Sequence, residues 1–246
     1  MSLLIEPSGR ILSVAITDKA SGGAIGTAAA TVDVSQIALV NQTTASKVLT
    51  IPTPTSGLAM FYTVANVGTA GFYVYGRYIR PGASAEFLHV PSVGWRSLVS
   101  STQVIAQDWV GVTAPANDTN ENTLYTLTIP GGVMGANGVL MIRTKWQYTN
   151  SANNKVFRAR LGASQLCTFT ATTSGCGAFV WDINNRNSES AQLGTNGGGG
   201  GVAGGTVDTA TIDTSADQTL TITAQKATGT ETVTFLGVSV ILQRFD

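Results

Sequence analysis

From Lys47 onward, apolar and polar positions alternate with period two, the pattern of strands that put one face in a core and the other in water. Val48–Ile51, stopped by Pro52 and Pro54, Ala59–Ala65, Gly71–Tyr75, Ala85–Val90 and Gly94–Leu98 read as one group of short strands. Gly and Pro punctuate them at Gly68, Gly76 and Pro81-Gly82, so the spacing predicts a small antiparallel β domain. A polar stretch, Pro115–Asn122, separates this group from a second. The second runs through Thr123–Ile129, Val139–Thr149, Lys155–Leu161, Leu166–Thr170, Gly177–Ile183, Val207–Asp213, Gln218–Ala224 and Glu231–Arg244. About eight strands is the number of a jelly roll.

Two local features sharpen that reading. In Gln218–Ala224 the alternation is clean, with Leu220, Ile222 and Ala224 on one face. In the last strand Val233 and Phe235 share one parity while Val238, Val240 and Leu242 share the other. One extra residue near Gly237 would return both sets to the core side, which predicts a β-bulge or bend there. Upstream, residues 1–35 hold a low-complexity run, Ala20–Ala30, and only scattered large apolar side chains: Leu3, Leu4, Ile5, Ile11 and Ile16. They read as an extended arm that gains order on a partner. The expected fold class is therefore all-β: two antiparallel β domains, the C-terminal one a jelly-roll-like β-sandwich, preceded by an extended N-terminal arm. The expected boundaries are 1–35 for the arm, 36–105 for the small β domain and 106–246 for the sandwich.

Composition agrees with strands and adds a constraint on the surface. Charged residues are only 11% of the 246, while Thr numbers 34 and Gly 28. So few exposed helix formers argue against helical or doubly wound folds. The 14 basic and 14 acidic residues cancel, where a nucleic-acid binder carries a basic excess. A surface this weakly charged is a solubility risk for a lone monomer and suits an assembly, with a trimer as the expected state. The first apolar run, Ile11–Ile16, is too short for a signal core, and no stretch reaches membrane-spanning length, so no membrane insertion is expected. Two cysteines, Cys167 and Cys176, make no disulfide framework and read as small core residues.

Catalytic constellations do not assemble from the sequence. The single histidine, His89, sits inside an expected strand, no Gly-x-Ser-x-Gly elbow occurs, and one His with two Cys matches no zinc spacing. No enzyme, cofactor or metal is therefore expected. A glycosidase needs only two carboxylates, and no motif singles out a pair. Asp208, Asp213 and Asp217 cluster around an expected turn and lack the spacing of a calcium loop, so they read as solvated turn residues. Asn41-Gln-Thr43 and Asn117-Asp-Thr119 fit the glycosylation pattern by chance. The glycine tract Gly197–Gly201 lacks the Lys and helix of a phosphate loop and reads as a flexible loop. Trp146 and Trp181 share parity with apolar neighbours and belong to a core; Trp95 and Trp109 flank the domain junction and stay open.

Several stretches carry a resemblance. Val48–Thr55, Val64–Thr69, Arg80–Phe87 and Gly94-Trp95 together look like a small β module common in tailed-bacteriophage virion proteins. Thr128–Gly132, Gly138–Arg143, Thr149–Ser151, Lys155, Gln192 and Gly237–Leu242 are similar to the β-sandwich modules of phage fibre, spike and capsid-decoration proteins. The match covers roughly residues 35–246 and rests on composition and turn placement. It implies a virion structural protein, assembled in the host cytoplasm, homo-oligomeric and fastened to capsid or tail proteins. It transfers no catalytic residue. The rival classes are a phage polysaccharide depolymerase and a carbohydrate-binding module that recognises host surface glycan; repeating solenoid rungs common in depolymerases are not visible in the sequence.

One charge asymmetry points to a surface. Between Asn122 and Trp181 there is no acid, but there are five bases: Arg143, Lys145, Lys155, Arg158 and Arg160. A hairpin of 139–149 with 155–161 would set Arg160 opposite Arg143 and Arg158 opposite Lys145 on an outer face. Like charges so placed destabilise a sheet, so the four, Arg143, Lys145, Arg158 and Arg160, form a candidate interaction patch that calls for an acidic counterpart. That counterpart is either acids between Asp208 and Glu231, in the same or a neighbouring subunit, or an anionic partner.

Overall fold

The computed structural model describes residues 12–98, 102–196 and 206–244, with backbone only for Thr195, Asn196 and Thr206. Leu3, Leu4, Ile5 and Ile11 of the expected arm, and the glycine tract from 197, lie outside the described residues. Among the described residues the protein is all-β apart from one 3-10 turn at Ala28–Ala30. It divides into two compact units, Met1–Ser101 and Thr102–Asp246.

The first unit contains β1 (Ser13–Ile16), β2 (Gly23–Ala24), β3 (Ile37–Val40), β4 (Lys47–Thr50), β5 (Met60–Asn66), β6 (Phe72–Val74), β7 (Arg77–Ile79), β8 (Ser84–Val90) and β9 (Gly94–Ser97). The first six strands alternate between two sheets, ordered β1-β3-β5-β8-β9 and β2-β4-β6-β7. The chain thus winds as a flattened coil. β1, β3 and β5 lie parallel, as do β2, β4 and β6, and β7, β8 and β9 close the coil antiparallel. Each turn stacks an inward residue on its predecessor: Val14 beside Ala38 beside Val64. The stacked corners are held by buried amides. Gln42, fully buried, accepts from Lys19 N (3.1 Å) and donates to Thr44 O (2.8 Å). Asn66 donates to Ala70 O and Ile79 O (2.8 and 3.0 Å). Asp18 accepts from the backbone of Thr43 and Thr44, which holds its carboxyl below the usual aspartate range.

Two expectations for this region change. The unit was expected to be antiparallel throughout, yet its first six strands pair in parallel. Residues 12–35, expected as an arm, supply β1, β2 and the 3-10 turn, with Ile25 and Val32 fully buried in the unit's core. A sparse apolar content suffices because each strand of the coil contributes only one or two side chains to a core shared along the stack. The boundary at 101/102 lies close to the expected 105/106.

The second unit contains β10 (Thr102–Asp108), β11 (Val112–Thr113), β12 (Asn122–Ile129), β13 (Val139–Tyr148), β14 (Lys155–Leu161), β15 (Ser164–Ala171), β16 (Cys176–Asn185), β17 (Gln192–Asn196), β18 (Thr206–Ala210), β19 (Gln218–Lys226) and β20 (Val233–Gln243). One layer runs β10-β20-β13-β16-β17, with β11 beside β20 and β18 beside β17; the other runs β15-β14-β19-β12. A single parallel pair, Thr168 with Asn196, joins them. Aromatic rings fill the space between: Trp146 meets Phe235 of its own layer and Phe157 of the other (ring centroids 5.0 and 4.5 Å), and Phe157 meets Phe179 (5.3 Å). Trp146 and Trp181 are core residues, as their parity predicts. The pairs β10 with β20, β12 with β19, β13 with β16 and β14 with β15 are those of one long antiparallel ribbon rolled onto itself.

The expected bulge is present. Lys145 lies opposite Gly237 and Trp146 opposite Phe235, leaving Leu236 as the extra residue, with Gly237 at φ 148°. Phe235 and Val238 both reach the core as a result.

Candidate interaction face

The ribbon separates the four bases of the expected patch. β13 pairs with β16 and β20, not with β14, so Arg143 and Lys145 lie on the outer face of one layer, and Arg158 and Arg160 on the outer face of the other. The hairpin assumption failed because residues 149–154 cross between layers instead of turning back within one.

Arg158 and Arg160 share one counter-acid where they stand. Arg160 donates through Nε and Nη2 to both carboxylate oxygens of Glu121 (2.8 and 2.9 Å), and Arg158 Nη1 lies 3.4 Å from Glu121 Oε2. Thr223 adds a hydroxyl bond to Glu121 (2.6 Å), and Arg158 Nη2 donates to Gln225 (3.0 Å). The Arg160 fork, helped by Thr223 and the Arg158 charge, holds the Glu121 carboxyl at about 2. The counter-acid thus comes from the polar stretch before β12, not from Asp208–Glu231. Around this triad the outer face is Thr-rich: Thr123 opposite Thr223, Thr126 opposite Thr221 and Thr128 opposite Thr219.

The other outer face is different. Trp109, just after β10, is 52% exposed, and its ring lies against Gly237. A Cβ at position 237 would come 2.5 Å from Trp109 Cε3, so the bulge glycine is also the seat of the indole. Lys145 Nζ stands 5.8 Å from the ring centroid, a cation–π contact. Asp108 fixes the turn by accepting from Val110 N (2.9 Å). Val104 on β10, Val180 on β16 and Leu236 at the bulge are exposed on the same layer, and Val110 continues the apolar surface beyond Trp109. Arg143 lies between Ser239 and Val180, and the nearby Asp182 carboxyl is pushed up by burial and drawn back by the Arg143 charge. Parity alone had left Trp109 open; what defines it is the distant Gly237, which no local pattern connects to it.

The remaining candidates have structural duties. His89 is buried in β8, its Nδ1 3.1 Å from Leu58 O and its ring against Trp95 (5.2 Å). Asp213 bonds to Ser215 N (3.0 Å) and Asp217 accepts from Gly131 N (2.8 Å). Cys167 is buried in the core, while Cys176 is exposed at the start of β16, and the two form no disulfide. Sequence patterning missed a buried ionic cluster at one end of the sandwich. Lys155 and Lys226 face each other across β14 and β19. Lys226 Nζ donates to Pro115 O (2.8 Å) and Glu231 O (3.0 Å), and Lys155 Nζ pairs with Glu231 Oε1 (3.6 Å). Buried ammonium groups persist only with such partners. Among the described residues no group of three or more His, Cys, Asp or Glu side chains is placed to hold a metal, and no helix is long and apolar enough to cross a membrane.

No family model matches the chain, and no curated protein matches it. Among solved structures it is similar to the CBM2 module of the evolved Dit of Lactobacillus casei BL23 phage J-1, at 12% identity and a TM-score of 0.28, over 48% of this chain and 67% of that one. It is also similar to infectious bursal disease virus, Gx strain, at 13% identity and a TM-score of 0.25, over 68% of this chain and 51% of that one. The Gt strain gives 14% and 0.22. The chain spans about half the length of the bursal disease virus chains. Likeness this slight carries no argument about function.

Proposed function

We propose that the chain is a structural subunit of a bacteriophage particle, with the rolled ribbon of the second unit read as a jelly roll. In this reading the Trp109 face fastens to another virion protein and the Thr-rich face is turned to solvent. The observation that carries it is the contrast between the two outer faces. One is apolar around a half-exposed tryptophan, with Arg143 and Lys145 beside it; the other is Thr-rich, with Arg158 and Arg160 held on Glu121. Contiguous exposed apolar surface marks protein interaction sites, and Trp with Arg is the composition of their energetic centres. The partner surface is acidic around an apolar middle, to match Arg143 and Lys145.

The same indole favours a second reading, a glycan-binding module in which a sugar stacks on Trp109. Mass spectrometry of purified particles separates the two together with affinity electrophoresis through gels containing capsular polysaccharide. The structural reading expects the chain in particles at high copy number and unretarded in the gel. Absence from particles, with retardation lost in Trp109→Ala, would establish the glycan reading instead.

A further inference from the structure

We infer that the free edge of β12 is a strand-pairing site for β12 of a second copy, joined antiparallel about a two-fold axis at Leu127. The layer β15-β14-β19-β12 ends at β12. Edge strands are templates for pairing, and monomeric proteins blunt them with Lys, Pro or inward charges. β12 is eight residues long, Asn-Thr-Leu-Tyr-Thr-Leu-Thr-Ile, without Lys, Pro or charge; its irregularity between Thr123 and Tyr125 lies at the start and leaves Tyr125–Ile129 regular. By contrast β18, which lies beside β17 in the other layer, is a five-residue strand that contains Asp208.

The occupant follows from register and residue type. After the irregularity between Thr123 and Tyr125, the strand alternates strictly. Thr126 and Thr128 are exposed outward, while Tyr125, Leu127 and Ile129 point inward, opposite Ile222, Leu220 and Gln218. Two antiparallel copies centred on Leu127 set Thr126 opposite the second copy's Thr128, Tyr125 opposite its Ile129, and Leu127 opposite itself. Every inward residue then meets an inward one and every outward residue an outward one. The Thr rows Thr221–Thr126 and Thr219–Thr128 run on across the axis, and cross-strand Thr pairs are favourable. A contact of this kind is isologous and closes at two copies. Any alternating strand can meet this parity; what a second copy adds is Thr opposite Thr on the outer side and Leu127 opposite itself on the inner one, so a second copy is the fitting partner.

This inference goes beyond the proposed function, replaces the expected trimer by a two-fold pair, and is tested apart from that function, by light scattering on the isolated full chain. Wild type is expected to associate in pairs at micromolar concentration. Thr126→Lys with Thr128→Lys is expected to be folded and monomeric, with a melting temperature that no longer depends on protein concentration as the wild type's does, since both side chains are solvent-facing. Thr126→Lys with Thr128→Glu is expected to regain association, because the two-fold sets each new cation opposite a new anion. A monomeric wild type overturns the inference, as does undiminished association of the double-Lys variant. Failure of the Lys/Glu variant to regain pairing overturns the register at Leu127. Particle composition is read separately: a monomer found in virions sinks the inference alone, and a dimer absent from virions sinks the proposed function alone.

Discussion

Glu121 shows how much one residue settles. Its carboxyl sits at about 2, against an ordinary 4.5, chiefly through the bonds from Arg160. A carboxylate depressed in the folded state contributes stability that is fully present above its unfolded value and is lost as pH falls through the folded one. The chain is therefore expected to lose stability between about pH 4.5 and 2 through this group. Arg160→Gln should narrow that acid-labile window and cost about 0.5–1 kcal/mol at neutral pH, the range of a partly exposed pair. Urea unfolding at pH 7 and pH 3 checks both; equal losses at the two pH values would contradict the assignment. None of this was legible in the sequence. The bases were conspicuous, but Glu121 stands 39 positions from Arg160 and its loop gave no sign of the turn that brings it in.

At the scale of elements, the sandwich strands were readable because each half-buried strand writes its own period into the chain. β13, β14 and β19 begin where the alternation begins. Pairing was not readable in the same way. The alternation of β13 states which residues face the core, not that β16 and β20 flank it, and so the four bases were assigned to one face. β17 was missed because Gln192–Asn196 is polar at most positions and runs into glycines. In the first unit, Val14, Ala38 and Val64 stack without any repeat in the sequence, so the coil had no signature. Gly237 is the opposite case, a bulge visible as a switch of parity. Gly237→Ala places a Cβ against the Asp108 carbonyl and the Trp109 ring at φ 148°. It is expected to cost about 1–3 kcal/mol of the strain and packing kind. It should also raise quenching of tryptophan fluorescence by acrylamide as the indole lifts. Unchanged stability and quenching would show that the bulge tolerates a side chain and that Trp109 is not seated on it.

For the whole molecule, the two units divide the labour of sequence differently. The first unit spends its buried amides, Gln42 and Asn66, on holding successive turns of a coil. The second unit spends its aromatics on a core and leaves two unlike faces outside it. Only 11% of residues are charged, and two clusters of the sandwich's charges are committed: Glu121 with two arginines, and Lys155 and Lys226 with Glu231 or backbone oxygens. The face proposed for a partner is the one around Trp109, Arg143 and Lys145. The central claim is that this face fastens the chain into a particle. Cryo-electron microscopy of the purified virion tests it most directly. The expected map has another protein's density covering Trp109, Val180 and Leu236, with Thr170 and Thr219 of the opposite face in solvent. A map in which the Trp109 face looks into open solvent, or in which the chain is missing from the particle, would contradict the account.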